Sequence, residues 1–559
     1  MDNSAIADRF TLLSRLMDIH GENPFKTKSY ASAAYQIEQL KVPLAGMTHP
    51  HIAELKGIGA STASKIIEIL ETGSLKALDE LLARTPPGIL EMMDVKGLGP
   101  KKIATIWHEM GIESIGELLY ACQENRLMLY KGFGARTQEN VRDAIEFLLR
   151  HRDRALYADA EAGAEDVMAF LKERWPHDMH STSGAFRRQC PELDRIDIVT
   201  TVPPAELSAT LLSAGHADRT SREGQVLTAE KDGCIPSVFH TCSAEDFGTR
   251  LFQTTGSIPF LEQWTLTHGD VPKSTSEEEL FRLASIAPIP ACLRETAAQA
   301  GVDHTWTSPD LIRTEDIRGI VHAHSDWSDG AHSLEQMADA CIRQGFEYLV
   351  ISDHSRSAQY AGGLDIEKVR RQHAHIDALN SKMGTFRIFK SIECDILGDG
   401  SLDYPDEVLA SFDMVIASIH SNLRMSEEKA MHRLLTAISN PFTDVLGHPT
   451  GRLLLSRPGY PVDHLRMLDA CAEAGVAVEI NAHPRRLDLD WSWIPAALER
   501  GILLSIDPDA HSVEGFSDIR YGVLAAQKGG LTRRSNLSSL SRGELEKWIR
   551  ERESKRKRD

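Results

Sequence analysis

Six histidines and three acidic residues in the C-terminal half of the chain could form one site: His322, His324, Asp329, His354, Glu393, His420, His448, Asp509 and His511. Each stands in, or just after, a short apolar run. Residues 320–323 lead into His322 and His324, with Asp329 in the next turn. Residues 348–352 lead to Asp353-His354, 387–392 to Glu393, 413–419 to His420, 445–447 to His448, and 502–506 to Asp509 and His511. Imidazole and carboxylate together suit Mn²⁺, Zn²⁺ or Fe²⁺ without choosing among them. His-x-His on a strand puts two imidazoles on one side. Divalent cations lower the pKa of water and hold phosphate oxygens, so the matching chemistry is phosphoester hydrolysis without a covalent nucleophile.

Such a set works only if one architecture gathers it. Between the apolar runs lie amphipathic helical stretches, so residues 317–515 read as βα units with a parallel sheet or barrel. In a parallel barrel the C-terminal strand ends share one face, where distant residues converge. Upstream, residues 155–300 mix strand-like runs (196–201) with helical ones (164–173), an α+β pattern. Residues 1–150 carry apolar residues at helical spacing with Gly and Pro punctuation. Residues 301–314 are polar and read as an inter-domain linker. Residues 541–552 read as a charged helix, and Lys555-Arg556-Lys557-Arg558 as a frayed, solvated tail.

The helical region repeats the form K-G-φ-G: Lys56-Gly57-Ile58-Gly59, Lys96-Gly97-Leu98-Gly99 and Lys131-Gly132-Phe133-Gly134. The first glycine of such a turn can take φ > 0. The second lets a phosphate approach the N–H groups that open the next helix. Lys101 and Lys102 add charge beside the second copy. One copy alone is better explained by a helix C-cap. Three copies point to helix-hairpin-helix motifs that grip a DNA backbone without reading sequence.

Gly21-Glu22-Asn23-Pro24-Phe25-Lys26, then Tyr30 and Ala33-Ala34, then Gly57-Ile58-Gly59 and residues 81–99, resemble the opening of family X DNA polymerases. The resemblance is to the bacterial type with a C-terminal PHP (polymerase and histidinol phosphatase) domain, and it covers nearly the whole chain. It implies a helical N-terminal domain with a lyase-like hairpin (1–80), a fingers-like hairpin domain (81–150), a polymerase-beta-like α+β palm and thumb (151–300), a linker (301–316) and a distorted, TIM-like seven-stranded PHP barrel (317–559). Residue by residue, the resemblance assigns one metal to His322, His324, Glu393 and Asp509. A second falls to Glu393, His420 and His448, and a third to Asp329, His354 and His511. It makes Lys65 the counterpart of a Schiff-base lyase lysine, which must be desolvated to react. Glu479-Ile480-Asn481-Ala482 and Arg485-Arg486-Leu487-Asp488-Leu489 resemble the family's substrate-side loop, with Arg486 or Arg485 as a phosphate clamp and His483 as an extra imidazole nearby.

The polymerase-like part departs from the family. Two-metal nucleotidyl transfer needs three carboxylates. In Ser183-Gly184-Ala185-Phe186-Arg187-Arg188 the family's serine falls on Ala185. Downstream its first catalytic Asp falls on Arg195, its second on Asp197, and its third on Val238. Arg and Val cannot ligate Mg²⁺. The expectation is a polymerase fold without nucleotidyl transfer, so Mg²⁺ enters only if that site works after all.

Across 559 residues, 62 basic and 81 acidic side chains give a net charge of −19, which argues against a chain coated by nucleic acid through bulk electrostatics. The eight cysteines include no CxxC pair, and no signal peptide or apolar run of membrane length is visible. The expected setting is the bacterial cytoplasm, and the expected partner is gapped, nicked or 3′-ended DNA, with no membrane. Oligomeric state is left open, a monomer being the expectation. The expected function is a DNA-repair 3′-5′ exonuclease using three divalent ions. The alternatives are an active gap-filling polymerase with an editing nuclease, a small-molecule phosphomonoesterase, and a non-enzymatic DNA-binding scaffold.

Overall fold

A computed structural model describes residues 3–556 except 39, 41, 56, 57 and 150–153. Its contacts form two units: residues 1–123 with 127–148, and residues 149–559 together with the segment Glu124–Arg126.

The first unit is helical. The helix α1 (Ala60–Thr72) starts at Gly59 and ends at Gly73, whose φ of 74° closes its last turn. It buries Ala63, Ile66 and Ile69. The helix α2 (Pro100–His108) starts with proline in its first turn, where a missing N–H costs nothing, and buries Ile103 and Ile106. The helix α3 (Ala135–Leu149) buries Val141 and Ile145. These i, i+3 and i, i+4 pairs are the stripes that the periodicity predicts.

The second unit opens with a mixed five-stranded sheet. Its strands are β1 (His180–Ser183), β2 (Ile196–Thr200), β3 (Arg219–Glu223), β4 (Val226–Glu230) and β5 (Ser237–Thr241). They lie in the order β1-β2-β5-β4-β3, with β2 and β5 parallel. Seven parallel strands follow in sequential order: β6 (Gly319–Ala323), β7 (Tyr348–Ile351), β8 (Arg387–Asp395), β9 (Met414–Ser418), β10 (Val445–Leu446), β11 (Ala477–Asn481) and β12 (Leu504–Asp507). Their near-continuous apolar runs are buried on both faces, as a parallel sheet covered by helices requires. A bridge between Ala323 and Ala510 joins the sheet's two ends, so the barrel is nearly closed.

Val321, Val350, Phe389, Ile416, Val445 and Ala477 form a cluster with Leu545 and Ile549 of the C-terminal helix. That helix (α5, Arg542–Arg556) follows α4 (Ile519–Lys528). The expectation of a frayed basic tail is therefore corrected at its start. Leu545 and Ile549, four residues apart, make an apolar stripe, and Arg552 and Arg556 both pair with buried Asp444. Lys557 and Arg558 lie outside the described residues. The polar segment 301–314 is also less detached than its composition implies. Ile312 is fully buried in the barrel's main core, and its N–H donates to Leu531.

The helix α4 ties the mixed-sheet part to the barrel. Lys528, 1% exposed, donates to the Arg188 carbonyl at 3.1 Å and to Glu295 at 2.5 Å. Arg520 and Tyr521 bond Glu161.

Candidate metal centre

All nine expected residues converge at the C-terminal ends of the barrel strands. Their ligand atoms form three groups, each within 4.8 Å: His322, His324 and Asp509; His324, Asp329, His354 and His511; and His354, Glu393 and His420. His448 joins through Glu393, whose Oε1 is 2.8 Å from His448 Nε2 and 2.9 Å from His420 Nε2. Glu393 also lies 3.4 Å from His322 and 2.9 Å from His354, so one carboxylate touches each group. The grouping differs from the expected partition: His354 also joins Glu393 and His420, and His324 is shared between the first two groups, 3.1 Å from Asp509 and 3.8 Å from Asp329. The β6 exit bends there, and His322 takes φ 59°. Asp509 takes φ 51°. Left-handed non-glycine residues cost about 1–3 kcal/mol each and persist where function requires them.

The donors fit divalent cations. Buried atoms facing the centre lack a hydrogen-bond partner among the described residues: His322 Nε2, His324 Nδ1, Asp329 Oδ2, Glu393 Oε2 and His511 Nε2. Buried polar atoms are rarely left so unless an ion or water completes them. Burial opposes charge on Glu393, but His420 and His322 outweigh it and hold the carboxyl well below its usual range. Asp329 is likewise held low against burial by His354 and His511. Burial opposes the His511 imidazolium, but Asp329 raises it to about 9. The site thus gathers buried carboxylates and imidazoles in a donor set that fits divalent cations.

From sequence alone, Glu479 falls in a substrate-side loop and Asp395 and Asp353 take no role, yet all three hold the candidate ligands or their turn. Glu479 accepts from His322 Nδ1 at 2.5 Å and from the His448 N–H at 2.6 Å. Asp395 accepts from His420 Nδ1 at 2.6 Å. Asp353 accepts from Ser325 N–H at 2.8 Å, Ser328 Oγ at 2.5 Å and Gln372 Nε2 at 2.6 Å, fixing the turn that carries Asp329. One signal was available: each is a carboxylate in or just after a barrel strand, Asp395 two residues past Glu393 and therefore on the same face.

Arg486 is buried, with Nε 3.7 Å from Asp509 Oδ2. Arg452 donates to the Arg486 and Leu487 carbonyls and holds their loop. His483 belongs to none of these ligand groups. Burial, then Arg485, lowers its pKa to about 3, and its Nδ1 accepts the Arg485 N–H at 3.2 Å.

In the mixed sheet, Val238 pairs directly with Asp197 across the parallel β2 and β5 strands. The residue directly beside Asp197 on the neighbouring strand is therefore apolar. Asp197 is buried and receives Arg195 Nε at 3.2 Å and His240 Nε2 at 2.8 Å. Burial opposes its charge, but the His240 bond and the Arg195 charge outweigh that and keep its pKa low. His240 is a second feature that sequence reasoning missed. Gly184 has φ 61°, and a Cβ there would lie 2.2 Å from Asp197 Oδ2. Arg187 pairs with Glu277 at 2.6 Å and Arg188 with Glu295 at 2.8 Å, so both basic side chains are engaged internally.

In the helical unit, Gly97 and Gly132 have φ of 94° and 97°. Gly59 and Gly99 are N-caps of α1 and α2, and Gly134 directly precedes α3. A Cβ at Gly59, Gly97, Gly99, Gly132 or Gly134 would meet nothing within 4 Å, so no packing demands glycine there. What remains is left-handed backbone at the first glycine and open approach at the second. Gly57 lies outside the described residues. Lys101 is exposed, whereas Lys102 turns back to the Gly97 carbonyl at 3.2 Å. Lys65 is half-buried, with Nζ 5.9 Å from the centre of the Tyr30 ring.

Residues 1–75 match a helix-hairpin-helix domain, residues 89–146 a SAM-like helix-hairpin-helix tandem, and residues 321–483 the PHP domain. A probable phosphatase of Caldanaerobacter subterraneus subsp. tengcongensis is 31% identical over 202 residues, 34% of this chain and 75% of that protein. A probable phosphatase of Thermoanaerobacter sp. (strain X514) is 26% identical over 246 residues, 42% of this chain and 95% of that protein. Both alignments are long enough to cover most of the barrel but not the rest of the chain. The barrel is a metal-dependent hydrolase domain. The DNA polymerase/3′-5′ exonuclease PolX of Bacillus subtilis is 33% identical over 557 residues, 96% of this chain and 97% of that protein, and this chain belongs to the PolX family.

Proposed function

We propose that the chain is a DNA-repair 3′-5′ exonuclease whose chemistry resides in the barrel. The observation that carries this reading is the gathering of nine ligand-type side chains, with buried and unpartnered atoms facing inward, in a chain with exposed glycine hairpins. His322, His324, Asp329, His354, Glu393, His420, His448, Asp509 and His511 would hold three ions of Mn²⁺, Zn²⁺ or Fe²⁺. When bound, such ions supply Lewis acidity toward phosphoryl oxygens and make water acidic enough to serve as a nucleophile. The chain's own residues do the rest. Glu479 and Asp395 orient His322 and His420 through their Nδ1 atoms. Arg486 offers a buried guanidinium to a phosphate at the edge of the centre. Gly57, Gly59, Gly97, Gly99, Gly132 and Gly134, with Lys101 and Lys102, grip the backbone of gapped, nicked or 3′-ended duplex DNA.

The mixed sheet would then position DNA without extending it. Asp197 is its one surviving carboxylate, and it is already paired with Arg195 and hydrogen-bonded to His240. We assign the segments 1–80, 81–150, 151–300, 301–316 and 317–559 to hairpin, fingers-like, palm-like, linker and PHP parts. Lys65 remains the lyase candidate.

Digestion of 3′-labelled and 5′-labelled DNA with Mn²⁺, beside a His322→Ala/His324→Ala double variant, tests the reading. Stepwise loss from the 3′ end, abolished in the variant, is expected. Undiminished cleavage by the variant refutes it, as does activity confined to small phosphomonoesters.

A further inference from the structure

The segment Glu124–Arg126 belongs to the second unit, where it meets Arg486 and Tyr360. Asn125, at φ 56°, makes the turn between its two charged residues. Glu124 is buried, and its carboxylate stands between two guanidiniums. Oε2 is 3.3 Å from Arg126 Nη1, and Oε1 is 3.9 Å from Arg486 Nη2. Arg486 in turn reaches Asp509 at 3.7 Å. The Arg126 guanidinium lies 4.3 Å from the centre of the Tyr360 ring, and that ring is 6.4 Å from the His354 ring. Arg486 therefore adjoins the centre directly, and Arg126 reaches it through Tyr360. Arg126 Nε is buried and has no hydrogen-bond partner among the described residues.

A carboxylate and a phosphate present the same kind of acceptor pair to a guanidinium fork. A buried carboxylate between two arginines, at the edge of a cation centre, stands where an anionic substrate group would bind. Burial opposes its charge, but His511, Arg126 and Arg486 outweigh that and keep it ionised. A phosphate has more acceptor oxygens than a carboxylate, and would also satisfy Arg126 Nε.

We propose that Arg126 and Arg486 form a phosphate-binding subsite for the DNA strand beside the metal centre, and that Glu124 holds it until a phosphodiester replaces its carboxylate. This rests on the nuclease reading above. Glu124 is then a positioning residue and Arg126 a substrate contact.

The test compares the metal-loaded wild type with Glu124→Gln, Arg126→Ala and Arg126→Lys. Two probes separate the anion sources: binding of inorganic phosphate by calorimetry, and KM for a 3′-ended oligonucleotide. Glu124→Gln removes the competing charge and keeps the shape. It is expected to tighten phosphate binding and lower KM about tenfold, the effect of about 1.4 kcal/mol. Arg126→Ala is expected to weaken both by a similar factor, with Arg126→Lys partly restoring them. A purely structural ion pair predicts the opposite for Glu124→Gln, since a neutral partner leaves two arginines unbalanced. Unchanged or weaker phosphate binding in Glu124→Gln overturns the proposal. Wild type that binds phosphate but cleaves no DNA would sink the nuclease reading instead.

Discussion

His322 Nδ1 donates to Glu479 Oε1 at 2.5 Å, which turns His322 Nε2 toward Asp509 and Glu393, each 3.4 Å away. The same Glu479 accepts the His448 N–H, so one carboxylate orients two ligands. Substitutions of such partners typically cost about 10–100-fold in metal affinity. Glu479→Gln is therefore expected to lose metal at lower chelator concentrations than the wild type, by about that factor. Metal content after dialysis against graded chelator measures it. Retention equal to the wild type would remove Glu479 from that role.

The Asp197–Val238 pairing predicts that the protein extends no primer. With Mg²⁺ and gapped DNA, dNTP incorporation should stay at background. Asp197→Asn should leave exonuclease activity unchanged, because that carboxylate is spent on Arg195 and His240. Incorporation that Asp197→Asn abolishes would restore the polymerase reading.

Lys101 and Lys102 should behave differently on DNA. Each phosphate contact contributes about 0.9 to the slope of log affinity against log salt. Lys101→Ala should make that slope shallower by about one contact. Lys102 bonds the Gly97 carbonyl, so Lys102→Ala should lower the stability of the hairpin as well. Anisotropy titrations across a salt series distinguish the two, and an unaltered slope for Lys101→Ala would exclude it from the interface.

Asp444 is buried and pairs with Arg552 and Arg556, and it also accepts the Val415 N–H at 3.0 Å. Removing one partner of a buried pair costs about 3–5 kcal/mol. Asp444→Ala should therefore lower the unfolding midpoint of the barrel and release the C-terminal helix to proteases. A midpoint matching the wild type would mean that Leu545 and Ile549 alone anchor the helix.

Much of the molecule is written in local pattern. Alternating apolar runs and amphipathic stretches specify the barrel strands, because a strand buried on both faces has to be apolar throughout. The nine candidate ligand positions stand out for the same reason: polar ligand types at the ends of such runs have no packing role to explain them. The glycine hairpins are legible because left-handed backbone and open approach are demands on single residues. The expectation that Arg195 and Val238 stand where the family has carboxylates comes only from the register that the resemblance supplies.

What depends on residues distant in sequence is not written there. Glu479 finds His322 across 157 positions, and His240 finds Asp197 across 43. Neither spacing has a period, since it is set by how strands close into a sheet. The basic C-terminus looked solvated because charge dominates its composition, yet Asp444 lies where Arg552 and Arg556 can reach it. His324 likewise belongs to two ligand groups because β6 bends at its exit, and side-chain type carries no information about that bend. The sequence by itself determined which chemical groups exist and which elements present them. The tertiary structure decided which groups share a carboxylate, because that depends on distances of a few ångströms between chain segments that no local rule relates.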